Sequence, residues 1–202
     1  RQAPRRPPDP VRLTPSPGPR ARSPQTVLSE PIVISIDAMG GDHGPSVVLP
    51  SLTRASLRMP GRSVRYLLHG DRAQLEPGIK ALGDIAALCD IRHTEHVIAM
   101  DEKPAIALRR GKGSSMWNAI EAVKNGEAIA AVSAGNTGAL MGQSMLILKK
   151  AEGVERPALA ASWPTRTGVC AMLDLGADIA ATAEQLVEFA IMGQAFARVV
   201  NG

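Results

Sequence analysis

IVISIDAMGGDHGPS, residues 32–46, is an apolar, β-branched run that stops abruptly in three glycines, two aspartates and a histidine between positions 37 and 44. A continuous apolar run of this length, unbroken by alternating polar residues, suits a strand buried on both faces. The glycines then let the backbone turn tightly, and Pro45 is suited to the first turn of a helix. After it, Val48, Leu52 and Ala55 recur at helical spacing. The segment therefore reads as strand, glycine turn, helix. Pro50 falls inside that helix, where it removes a hydrogen bond, so the helix is expected to be bent or short.

The same alternation continues outward. VRYLLHGD (64–71) reads as a strand, residues 72–83 as a short helix or loop, and IAALCDIRH (85–93) as a further apolar run. Residues 104–110 and 115–124 have helical character, separated by Gly111-Lys112-Gly113. AIAAVSAG (128–135) is a strand, TGALMGQSMLILKK (137–150) a helix ending in lysines, as the helix dipole favours. ALAASW (158–163) and GVCAMLDLGA (168–177) are strand candidates, and AEQLVEFAIMGQAFARVV (183–200) is a long helix. Strands joined by helices imply an α/β fold with a mostly parallel sheet covered on both faces. A helix that never returns to the sheet marks the chain as C-terminally incomplete, a piece of a longer protein or one completed by a partner.

Composition narrows the function classes. With 202 residues, 45% of them hydrophobic, the chain can bury a core, yet only 2% are aromatic. Few side chains are thus available to stack bases, which argues against single-strand nucleic-acid binding, and no nucleic-acid partner is expected for the folded part. Residues 1–30 hold six arginines against Asp9 and Glu30, which equals the whole net charge of +4, together with half of the sixteen prolines. This basic Pro/Arg-rich tail is expected to be disordered. It could be an arm for nucleic acid or acidic lipid, an Arg-rich targeting peptide, or sequence without a role, the last being the simplest reading. It has no apolar stretch of the kind a secretory signal needs. The domain proper is 31–202. Cys89 and Cys170 stand 81 positions apart, which reads as two buried, reduced thiols in a cytoplasmic protein. No apolar run is long enough to span a bilayer.

Two turns carry the chemistry. In open α/β sheets ligands sit at the carboxyl ends of strands, where glycine-rich turns present N–H groups at helix N-termini. The first such turn is Gly40-Gly41-Asp42-His43-Gly44-Pro45. The second is Ser133-Ala134-Gly135-Asn136-Thr137-Gly138. Glycine lets the backbone approach an anion, and Ser, Asn and Thr add short donors, so both favour phosphate or a carboxylate. Neither matches a nicotinamide or nucleotide fingerprint. Either could also be a plain strand-to-helix turn. His43 beside Asp42 could act as a general base or a phosphate donor, or serve only as a structural hydrogen-bonder. Lys103, Arg109, Arg110 and Lys112 form a basic cluster that could meet an anion, an acidic protein or solvent alone. His93 and His96 lack further ligands at suitable spacing, so no metal and no cofactor are expected.

These stretches also occur together in a known order. IDAMGGDHGP, DEKPAIALRRGKGSSM, SAGNTGALM, RPALA, LDLGA and EFAIMG follow one another as in the PlsX-type phosphate acyltransferases, which the chain resembles from about residue 32 to 202. The resemblance implies a Rossmann-like three-layer α/β/α sandwich, related to isopropylmalate dehydrogenase and to phosphate acetyltransferase. It implies transfer of a long-chain fatty acyl group from acyl carrier protein to inorganic phosphate, giving an acyl phosphate for phospholipid synthesis, by a cytoplasmic homodimer that associates peripherally with membrane. Gly40, Gly41, His43 and Asp42 would then serve the phosphate and its proton. Ser133, Gly135, Asn136 and Thr137 would hold phosphate or the thioester oxygen, and Lys103, Arg109 and Arg110 phosphate or the carrier protein. The alternatives are a phosphotransacetylase-like enzyme using acyl-CoA, and an inactive remnant or basic-tailed binding protein. The chain departs from the family pattern after LDLGA, where Asp178, Ala180 and Ala183 replace the usual Asn, Asp and Pro.

Overall fold

The computed structural model describes residues 31–175 and 181–201; the tail 1–30 and positions Asp178 and Ala180 lie outside it. Four strands form a parallel sheet: β1 (Ile32–Asp37), β2 (Val64–Gly70), β3 (Cys89–His93) and β4 (Ala130–Ser133), in the order β3-β2-β1-β4. The opening apolar run is thus an inner strand, hydrogen-bonded on both sides. Alternation along it explains the absence of polar breaks. Ile32, Ile34 and Ile36 face α1 (Pro45–Leu57) and α2 (Arg72–Lys80), joining Val64, Tyr66, Leu68, Leu49, Leu52, Leu75 and Ile79 in the larger core. Val33, with Leu67, packs on the other face against Ala122 and Val123 of α4 (Ser115–Lys124). Helices cover the sheet on both sides, the three-layer sandwich expected.

α1 runs unbroken through Pro50, neither cut short nor ended there. Pro50 is exposed, and buried Leu49 and Leu52 pin the turn around it, so one lost bond is tolerated. The apolar run 85–93 splits differently from expectation: Gly83–Leu88 is a 3-10 turn and only Cys89 onward is strand. α3 (Pro104–Arg110) and α4 fall at the expected positions, the Gly-Lys-Gly break between them, and α4 is capped by Ser114, whose Oγ accepts from Trp117 N–H at 3.1 Å.

The parallel sheet is as expected, and the last two strands stand apart from it. β5 (Ala160–Pro164) and β6 (Val169–Leu173) pair antiparallel with each other alone. Only four residues join them, closed by Thr165 N–H donating to Gly168 O at 2.8 Å, and a parallel crossover needs a dozen or more. Cys170 sits on this hairpin, exposed, and Cys89 is half-buried, so neither is the buried thiol expected. Burial, reinforced by the Asp90 charge, pushes the Cys89 thiol up to about 11, keeping it protonated and inert. α6 (Ala183–Asn201) packs on the hairpin through Gly193 beside Leu173.

Within the α4 face lies one buried base, His69, 4% exposed and hydrogen-bonded through Nε2 to Ser35 Oγ at 2.9 Å. Desolvation first, then the nearby Arg92, push it down from 6.5 to about 4. Between those values the unfolded chain binds a proton that the folded chain does not. This stability is present above pH 6.5 and is lost as pH falls towards 4. Urea unfolding at pH 5.5 is therefore expected to give roughly 1 kcal/mol less stability than at pH 7.5, from this residue. His69→Gln should flatten that part of the profile; an unchanged slope in the variant would contradict it.

Candidate functional site

The strand order places a switch point between β1 and β4: from β1 the chain winds one way to β2 and β3, then crosses back through α3 and α4 to β4. The crevice at the carboxyl ends of these two strands is where ligands bind in such sheets. The two glycine turns singled out in the sequence follow those two strands. Asp37 and Ser133 end the strands in register. Ser133 Oγ donates to Asp37 Oδ2 at 2.7 Å, and Gly135 N–H donates to Ser133 Oγ at 3.0 Å. The other carboxylate oxygen accepts from Met39 N–H at 3.3 Å. A buried carboxylate thus ties the two turns together.

Glycine is required at the join. A Cβ on Gly40 would lie 2.5 Å from Asp37 Oδ2 and 2.9 Å from Gly135 N, and one on Gly135 would lie 2.8 Å from Met116 Cε of α4. Gly41 adds a φ of +87° with Ala134 O at 3.0 Å from its would-be Cβ.

Asn136 caps α5 (Thr137–Leu148), accepting at Oδ1 from Ala139 N–H at 3.0 Å. Its amide donates to the Met100 and Glu102 carbonyls, both at 2.9 Å, with Ala99 O at 3.4 Å. The side chain is therefore occupied in holding the 99–102 segment against the N-terminus of α5. What remains free is main chain: the N–H groups of Gly40, Gly41, Thr137 and Gly138 have no partner among the described residues. Four unpaired donors on two abutting turns form a place for an anion. Asp42 and His43 are exposed on the first turn, and the Thr137 side chain is exposed on the second.

The basic cluster divides. Glu102, gripped by Asn136, fixes Lys103 beside the second turn, at the N-terminus of α3. α3 then runs alongside α5, Pro104 on Gly138 and Leu108 on Gly142. Arg109 and Arg110 lie at its far end, about 9 Å further along the axis, so the structure separates them from the crevice. Asp37, to which sequence reasoning gave no role, is the buried carboxylate of the site; the signal was its place as the last residue of an inner strand.

Fold and site together define an α/β protein whose switch point is flanked by two glycine turns with unpaired main-chain donors among the described residues. Comparison with known proteins carries this further. A model of the family described as fatty acid synthesis protein matches residues 32–202, and the chain belongs to that family. It is 56% identical over 175 residues to the phosphate acyltransferase of Caulobacter vibrioides, covering 87% of this chain and 48% of that protein. It is 54% identical to that of Phenylobacterium zucineum (87% and 49%) and 53% identical to that of Maricaulis maris (84% and 48%). The chain spans about half the length of these relatives. In fold it is similar to a phosphotransacetylase from Streptococcus pyogenes, with a TM-score of 0.57 at 17% identity, over 82% of this chain and 53% of that one.

Gly40→Ala should cost about 1–3 kcal/mol by forcing the turns apart, while Gly168→Ala, with nothing within 4 Å, should be near neutral. Equal thermal midpoints for the two variants would contradict the close approach of the turns.

Proposed function

We propose that the chain is the N-terminal part of a phosphate acyltransferase that moves a long-chain fatty acyl group from acyl carrier protein to inorganic phosphate. The observation that carries this reading is the set of four N–H groups without a partner among the described residues, on Gly40, Gly41, Thr137 and Gly138, in the two turns at the switch point. The reaction needs little more than such a cradle. Phosphate is already an anionic nucleophile near neutral pH and thiolate a fair leaving group, so no Ser or Cys nucleophile is required. A phosphate oxygen attacks the thioester carbonyl, the C–S bond breaks, and the carrier thiolate leaves and takes up a proton, giving acyl phosphate for phospholipid synthesis.

In this reading the main-chain donors hold phosphate, and the hydroxyl of Thr137 meets it or the thioester oxygen as charge develops. His43, with Asp42 beside it, handles the proton at the rim. Ser133 and Gly135 shape the crevice through Asp37, and Asn136 holds Lys103 where its charge attracts phosphate. Arg109 and Arg110, away from the crevice, face the acidic carrier protein. The complete protein acts as a homodimer in the cytoplasm, meeting membrane peripherally; among the described residues no helix is long and apolar enough to cross one.

The test is phosphate-dependent consumption of palmitoyl-acyl carrier protein by this chain, with palmitoyl-CoA in parallel. Turnover that requires phosphate and prefers the carrier-bound donor supports the reading, and His43→Ala should lower it about 100-fold. Preference for the CoA donor would favour phosphotransacetylase-like chemistry. Absence of turnover in a folded chain would contradict the claim that these residues suffice.

A further inference from the structure

The register brings Ser133, Asp37, His69 and Arg92 into one row across β4, β1, β2 and β3. All four side chains therefore leave the sheet on the face that α4 covers. The Ser133–Asp37 half belongs to the crevice. The other half opens on a separate cavity of about 210 Å³, lined by His69, Arg92, Asn118, Glu121, Asn125 and Glu127, with Ala122 as its one apolar wall. Asn118, Glu121, Ala122 and Asn125 follow helical spacing along α4 and its C-terminal cap, so they form a single stripe over the cavity.

His69 makes this more than a surface dent. The residue is 4% exposed, and its Nδ1 has no hydrogen-bond partner among the described residues. Ser35 is itself fully buried, and its hydroxyl has no acceptor other than His69 Nε2 among the described residues. With that hydroxyl donating to the Nε2 lone pair, the imidazole hydrogen sits on Nδ1 as a buried donor lacking an acceptor among the described residues, whereas the reverse tautomer would leave both the Ser35 proton and the Nδ1 lone pair unsatisfied. Burial and the Arg92 charge keep the ring neutral, against the weaker opposing pull of Glu127.

The lining selects the class of ligand. Two carboxylates, Glu121 and Glu127, stand against one guanidinium, and Arg92 is already paired with Glu127 at 3.2 Å. An anion would meet the Glu121 carboxylate, a simple cation has no lone pair to offer the His69 Nδ1–H, and an alkyl group would find Ala122 alone. An uncharged molecule whose groups both donate and accept matches the remaining amides, carboxylate and imidazole. We propose that this cavity binds a small uncharged polyol, whose hydroxyls accept from His69 Nδ1–H and the Asn118 and Asn125 amides and donate to Glu121.

The test is a glycerol titration of the whole chain, followed by the imidazole nitrogen resonances of its four histidines, with inorganic phosphate and ammonium as charged comparators. The expected result is a saturable shift at His69 alone. Its midpoint should rise at least tenfold in Asn118→Leu and in Glu121→Gln, two surface changes whose thermal midpoints confirm folding. A drift shared by all histidines, no shift, saturation by phosphate or ammonium in preference to glycerol, or an unchanged midpoint in both folded variants would each overturn the proposal.

Discussion

The hydrogen bond from Ser133 to Asp37 closes the molecule at the point where its winding reverses. β1 and β4 are separated by 92 residues of intervening chain between Asp37 and Ala130, and their register fixes which ends meet. A buried carboxylate is costly unless its lone pairs are taken, and here they are taken by a hydroxyl and a main-chain N–H from the two turns that must be held together. The turns can then touch because Gly40 and Gly135 present no side chain at the join. Had either strand ended in an apolar residue, the same sheet could form, but nothing would tie the two turns together through the Asp37 carboxylate.

The rest of the architecture follows from giving the two faces of the sheet different work. The face towards α1 and α2 is filled by Ile36, Tyr66, Leu68, Leu49, Leu52 and Leu75, and carries the larger of the sheet's two apolar clusters. The α4 face is apolar at the amino ends of the strands, through Val33 and Leu67, and becomes polar at the carboxyl ends, through Ser35, Asp37, His69 and Ser133. Apolar packing and buried polar groups are thereby separated by only two residues along each inner strand. The Asn136 amide extends the same economy of parts to α3, drawing Lys103 to the crevice while its two arginines remain at the opposite end of the helix.

Much of this was legible in residues 32–46. Continuous β-branched burial identified an inner strand, and the glycine turns after β1 and β4 marked the crevice before any topology was known. The Gly-Lys-Gly break separated α3 from α4 at the residues observed. What escaped the sequence depended on pairing. The antiparallel β5–β6 hairpin differs from parallel strands only in the shortness of its connection. Asn136 read as a ligand donor because composition reports a side chain's chemistry and not the partners already claiming it. Arg109 and Arg110 are neighbours of Lys103 in sequence, yet two turns of helix set them apart. Asp37 and His69 carry no motif of their own, and their importance comes from facing one another across a register.

The central claim is that the two glycine turns act as one anion cradle. Amide hydrogen exchange of the whole chain, with and without inorganic phosphate, tests it most directly. Phosphate is expected to slow exchange together at Gly40, Gly41, Thr137 and Gly138, whose N–H groups have no partner among the described residues. Protection confined to one turn, to neither, or to the Arg109–Arg110 end of α3 would contradict it.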